Sequence, residues 1–88
     1  MGQIVATMKV FPKDIVISPN ELKKGIKKNL PEDTSIYKID EEPIAFGLIA
    51  LILHIIMPDS GGKIDKVEEA IRRVRGISEV ETLLVRRI

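Results

Sequence analysis

The longest apolar run in the chain, Ile44 to Met57, is interrupted only by Gly47 and His54 and is bracketed by Pro43 and Pro58. Its apolar residues fall on both parities. A strand tolerates that only when it is central in its sheet and both of its faces are largely covered. The run is also shorter than the ~20 residues that a helix needs to cross a bilayer. A long middle strand over Phe46 to Met57 is therefore predicted, and the rest of the chain must supply its neighbours and its cover.

Residues Gln3 to Phe11 alternate, with Ile4, Ala6, Met8 and Val10 opposite Val5, Thr7 and Lys9, and Pro12 ends this first strand. A helix start follows at Ser18-Pro19-Asn20-Glu21: serine as N-cap, proline at the first helical position and an acid three residues after the cap. Leu22, Ile26 and Leu30 form one apolar stripe, and Pro31 stops the helix, which is predicted over Pro19 to Leu30. Ser35 to Asp40 reads as a short edge strand that runs into a solvated acidic turn, Asp40-Glu41-Glu42. After the turn cluster Pro58-Asp59-Ser60-Gly61-Gly62, Ile64, Val67, Ile71 and Val74 mark a second helix over Lys63 to Arg75. Gly76 stops it, with Arg72, Arg73 and Arg75 at the negative end of its dipole. Val80 to Arg87 closes the order as a fourth strand.

Strand, helix, strand, strand, helix, strand is the βαββαβ order of the ferredoxin-like plait, an α+β fold with a four-stranded antiparallel sheet and both helices on one face. The first and third strands are then the inner pair. With 88 residues the chain is read as a single domain, 1–88, burying about 60% of its unfolded surface.

Composition removes several chemistries. Without cysteine there is no disulfide framework, thiol nucleophile or thiolate metal site, and the lone histidine, His54, rules out a site with two imidazoles. Fourteen Lys and Arg against 13 Asp and Glu give a net charge of +1, too small a field to hold the chain on nucleic acid or an anionic membrane. The amino end shows no charged leader followed by an apolar segment, so a cytoplasmic location is expected.

The remaining polar groups read mainly as structural. Asp40, Glu41 and Glu42 point alternately along an extended chain and do not jointly flank a substrate. His54 lies mid-strand with no acid or nucleophile in its own repeat. Ser60-Gly61-Gly62-Lys63 lacks the spacing of a phosphate-cradling loop and reads as a turn. Asp59 and Asp65 do not have calcium-loop spacing, so neither a metal site nor a cofactor is implied. Lys23, Lys24, Lys27 and Lys28 form a solvated helix face. The aromatics Phe11, Tyr37 and Phe46 make no base-stacking platform, so no direct nucleic-acid partner is expected.

Two segments stay unexplained by a core: Pro43-Ile44-Ala45-Phe46-Gly47-Leu48 and Val85-Arg86-Arg87-Ile88. In the plait they fall at opposite ends of the sheet, on the order of 25 to 35 Å apart at ~3.3 Å per residue. Such a spread suits a large protein partner better than a small ligand.

At these residues the chain resembles the archaeal elongation factor 1-beta family, guanine-nucleotide exchange factors for the tRNA-carrying GTPase elongation factor 1-alpha. The resemblance spans essentially the whole chain. It rests on Val5-Ala6-Thr7 with Lys9-Val10, on Glu42-Pro43-Ile44-Ala45-Phe46-Gly47-Leu48, on Gly76 and on Val85-Arg86-Arg87-Ile88. It implies a protein without covalent chemistry of its own, monomeric when free, that promotes GDP-to-GTP exchange on the partner with its bound nucleotide and magnesium. By the same resemblance Arg87 takes the place of a lysine that enters the magnesium and phosphate region of the GTPase. Arg86 and Ile88 would support it at the partner surface, and Phe46 would anchor elsewhere. An ACT-type module that senses small molecules shares the plait and is the alternative.

Overall fold

The computed structural model describes residues 2–88. The element order is β1 (Gln3–Pro12), α1 (Pro19–Asn29), β2 (Ser35–Pro43), β3 (Ile49–Pro58), α2 (Lys63–Arg72) and β4 (Ile77–Arg87). The sheet order is β2-β3-β1-β4 and every neighbouring pair is antiparallel, so the chain has the ferredoxin-like plait with β1 and β3 inside. No helix among the described residues is long and apolar enough to cross a membrane.

The alternation seen in β1 decides which face is covered. Ile4, Ala6, Met8 and Val10 are buried together with Leu51, Leu53, Ile55 and Met57 of β3, against Leu22 and Ile26 of α1 and Val67 and Ile71 of α2. Val5, Thr7 and Lys9 point to the open face. The start of α1 follows the sequence: the Glu21 N–H donates to Ser18 Oγ at 3.1 Å, with Pro19 in the first turn.

Four boundaries differ from the sequence reading. β2 does not turn after Asp40 but continues to Pro43, because Glu41, Glu42 and Pro43 pair with Leu51, Ala50 and Ile49 of β3, and its acids also find cations on other elements. Glu41 pairs with Lys23 of α1 at 2.8 Å, and Glu42 pairs with Lys9 of β1. The acidic tripeptide is thus part of an edge strand. β3 begins at Ile49, and Phe46 lies outside it in a 3₁₀ turn, Ala45–Gly47. α2 ends at Arg72 rather than Arg75, since the Val74 N–H bonds to Ile71 O at 3.0 Å in a tight turn that keeps Val74 on the core. Arg73 and Arg75 therefore fall beyond the last helical turn. β4 starts at Ile77 instead of Val80, paired with Pro12 of β1.

Gly76 sits in that tight turn with φ +97, where an L side chain is strained, and a Cβ there would stand 2.7 Å from Ile17 Cδ1. Gly76→Ala is expected to lower stability by about 1 to 3 kcal/mol, read as an earlier midpoint in urea denaturation. An unchanged midpoint would show that the turn has room and freedom to spare.

Candidate functional site

The register places the two unexplained segments. Val10 of β1 pairs with Leu51 of β3 and with Val80 of β4, whereas Ile4 pairs with Met57 and with Arg87. β3 and β4 therefore run the same way, and the start of one and the finish of the other lie at opposite ends of a molecule 42 Å long. Phe46 and Arg87 are held apart, as the plait requires.

At the β4 end, Arg86 pairs with Val5 and so lies on the open face, while Arg87 pairs with Ile4 and has the opposite parity. The Ile88 N–H donates to Gln3 O at 3.1 Å, which fastens this end of the chain to β1. Arg86, Arg87 and Ile88 then rim a shallow recess of about 420 Å³ with Val5, Ile56 and Tyr37. Its floor is apolar and its rim cationic. The Arg87 side chain is 85% exposed, and its Nη2 is 3.6 Å from Oδ2 of Asp59 in the loop before α2. An exposed pair at that distance holds the guanidinium only weakly.

At the other end Phe46 is 93% exposed and adopts φ +62, the left-handed region that a side chain enters at a cost. Two hydrogen bonds close the turn around it, Ile44 N–H to Leu48 O at 2.8 Å and Leu48 N–H to Ala45 O at 3.3 Å. An apolar ring is thus kept in water by a strained backbone, the opposite of what folding alone would choose. Phe46→Gly removes the strain and almost no packing, so it is expected to stabilise the fold by about 0.5 to 1 kcal/mol, measurable as a rise in melting temperature. A fall would mean that the ring supports the fold.

The other candidates settle into structural roles, with one addition. His54, which has no acid or nucleophile in its own strand repeat, receives both from neighbouring strands. Thr7 Oγ1 is 3.2 Å from Nδ1 and Asp40 Oδ2 is 3.4 Å from Nε2. Tyr37 packs beside the ring at 5.7 Å between centroids. This polar ladder crosses β1, β3 and β2 on the open face and ties the edge strand to the inner pair. The glycine turn starts α2 at Gly62, with φ +76 and no side-chain cap, and Lys63 pairs with Asp33, holding that carboxyl below its usual range. Among the described residues no cluster of three or more His, Cys, Asp or Glu is placed to hold a metal ion.

Sequence reasoning missed Asp59, Tyr37, Val5 and Ile56 beside the arginines, because cross-strand register and a loop contact bring them there. It also passed over Ile15 and Val16, which lie between Pro12 and Pro19 in neither a strand nor a helix.

The family model described as the EF-1 guanine nucleotide exchange domain matches residues 5–88. The chain is 43% identical over 88 residues to "Elongation factor 1-beta" of Methanothermobacter thermautotrophicus, covering 100% of this chain and 99% of that one. It is 45% identical over 89 residues to the protein of the same name from Staphylothermus marinus, again covering 100% and 99%. Among solved structures, the ACT domain from GTP pyrophosphokinase of Chlorobium tepidum superposes with a TM-score of 0.70 at 24% identity, covering 94% of this chain and 89% of that one. The C-terminal domain of the MgtC protein from Mycobacterium tuberculosis gives 0.65 at 14% identity, over 93% and 86%. At such identities these two likenesses speak to the fold alone.

Proposed function

Because the chain belongs to the EF-1 guanine nucleotide exchange domain family of translation elongation factors, we propose that it promotes GDP-to-GTP exchange on elongation factor 1-alpha, with residues 1–88 acting as a single cytoplasmic exchange domain, monomeric when free. Arg87 is the cation that enters the magnesium and phosphate region of the partner. Arg86 and Ile88 seat beside it, and Phe46 anchors the far end. The observation that carries this assignment is the placement of Arg87, almost fully exposed at the last residue of β4 and held only by a loose contact to Asp59.

The physics of exchange requires no bond to be made or broken on this protein. The factor must bind the GTPase more tightly when magnesium and nucleotide are loosened than when they are seated, since equal affinity for both states shifts nothing. A guanidinium near the metal supplies that difference: it repels Mg²⁺ and pairs in a planar fork with the carboxylates or phosphates that the ion had been holding. By reciprocity, whatever weakens GDP binding is itself displaced by incoming GTP. The factor thus turns over.

An ACT-type sensing module would share the fold, but nothing beyond the fold likeness favours it, whereas the sequence relatives span the full chain. The proposal is tested with archaeal elongation factor 1-alpha loaded with fluorescent GDP and chased with excess GTP. Substoichiometric amounts of this chain are expected to speed the loss of fluorescence. Release at the intrinsic rate would reject the proposal.

A further inference from the structure

We infer that the free edge of β4 is a self-recognition surface, along which a second copy of this chain adds its own β4 antiparallel and extends the sheet across a two-fold axis. The inference goes beyond the exchange reading and does not depend on it. The sheet has two edges, β2 and β4. β2 carries Lys38, Asp40, Glu41 and Glu42 and ends at Pro43, and charge and proline are the devices that keep an edge from stray pairing. The stretch Thr82-Leu83-Leu84-Val85 of β4 carries no charge, and Leu83, Leu84 and Val85 are 43% to 52% exposed. A long edge with an uncharged apolar centre is a template for another strand.

The order of charges along β4 selects the occupant. The acids Glu79 and Glu81 precede the apolar centre, and the cations Arg86 and Arg87 follow it. A strand that pairs antiparallel and complements those charges must itself run from acids through an apolar centre to cations, which is the order of β4.

The register agrees. Thr7 of β1 pairs with Leu84 and Met8 with Thr82, so Leu83 is the extra residue of a bulge. Glu81 lies opposite Lys9 and Arg86 opposite Val5, which puts both on the open face, although residues five apart in a regular strand face opposite ways. A two-fold axis normal to the sheet keeps each face on its own side, so only residues that share a face can oppose each other across it. Centred between Leu83 and Leu84, the axis sets Glu81 against Arg86 of the second copy, Thr82 against Val85 and Leu83 against Leu84. Without the bulge that alignment would oppose residues from different faces. Among the described residues neither Glu81 nor Arg86 forms an ion pair within the chain, whereas Glu79 and Arg87 do.

Such a contact uses the same patch on both copies and closes on itself, and the guarded β2 edges stop it from growing into a filament. Six paired residues on each side bury well under the ~800 Å² per partner of a stable complex. The pair is therefore weak: the chain is monomeric at the micromolar concentrations at which exchange is read, and the pair forms as concentration rises. Under the exchange reading the paired form is idle, because an Arg86 turned toward Glu81 of the second copy is closed to the GTPase.

Sedimentation equilibrium of the full chain from about 10 μM to about 1 mM, a span that brackets weak association, tests this with two single variants, Glu81→Arg and Arg86→Glu. Both side chains are exposed, so the variants fold, as their melting curves will verify. Wild type is expected to shift from one chain toward two as concentration rises. Each variant alone sets like charges opposite each other twice and should associate about tenfold more weakly or less still. An equimolar mixture of the two variants restores opposite charges at both places and should associate like wild type. Wild type that remains a single chain throughout would overturn the pairing. Variants that associate as wild type does, or a mixture that fails to recover, would overturn the register. Wild type that stays single while its Glu81 to Arg86 amide resonances shift on adding elongation factor 1-alpha would overturn the second copy as the occupant of this edge.

Discussion

Arg87→Ala is expected to lower the maximal rate of GDP release by roughly 10- to 100-fold, the range for removing a hydrogen-bonding partner of charged groups. The fold will not register the change. Arg87 is mostly in water and its contact to Asp59 is long and exposed, so the unfolding midpoint should move by no more than about 0.5 kcal/mol. The combination of a large kinetic loss and an unmoved denaturation curve separates a cation acting on the partner from one supporting β4. Arg87→Lys keeps the charge and should retain more of the rate than Arg87→Ala. It loses the bidentate fork, so it is not expected to equal the wild type. Wild-type release from Arg87→Ala would take Arg87 out of the mechanism.

Leu53→Ala is expected to have the largest effect on stability. Leu53 is fully buried on β3, and the register sets it between Met8 of β1 and Ile39 of β2 on the helix-covered face. Truncation there leaves a cavity that close-packed neighbours fill only in part, costing about 2 to 5 kcal/mol. For a domain of this size each kcal/mol corresponds to roughly 4 to 8 °C in melting temperature, so the midpoint should fall by roughly 8 to 40 °C. Leu84→Ala is the control. Leu84 is half exposed on β4, and its truncation should change stability by no more than about 0.5 kcal/mol. Similar losses from both substitutions would mean that the two faces of the sheet are not as differently covered as the structure has them.

The legibility of this fold follows the range of the interactions involved. β1, the start of α1 and the inner position of β3 were readable because alternation, a serine cap followed by proline, and an uninterrupted apolar run are local or nearly local signals. The full length of β2 was not, because Glu41 and Glu42 are held extended by pairing with Leu51 and Ala50 of β3 and face Lys23 and Lys9 of other elements, none of which is a local signal. α2 stops early for a similar reason: Val74 must remain on the core while the chain turns back at Gly76. At the candidate site, Phe46 and Arg87 stood out as residues without a core role, and their separation followed from topology. The positive φ of Phe46, the approach of Asp59 to Arg87 and the meeting of Ile15 with Gly47 depend on loop paths that no periodicity encodes. His54 illustrates the same limit. Its hydroxyl and carboxylate neighbours come from β1 and β2, 47 and 14 residues away in the chain.

If the Arg87 end works by loosening a magnesium-held phosphate, its advantage must depend on there being a magnesium ion to loosen. The most direct measurement is stopped-flow release of fluorescent GDP from elongation factor 1-alpha, with and without saturating wild-type chain, first in millimolar Mg²⁺ and then after chelation. The expected result is a large acceleration by the chain with Mg²⁺ present and little further acceleration once chelation has already freed the nucleotide. Equal acceleration in both conditions, or none in either, would contradict it.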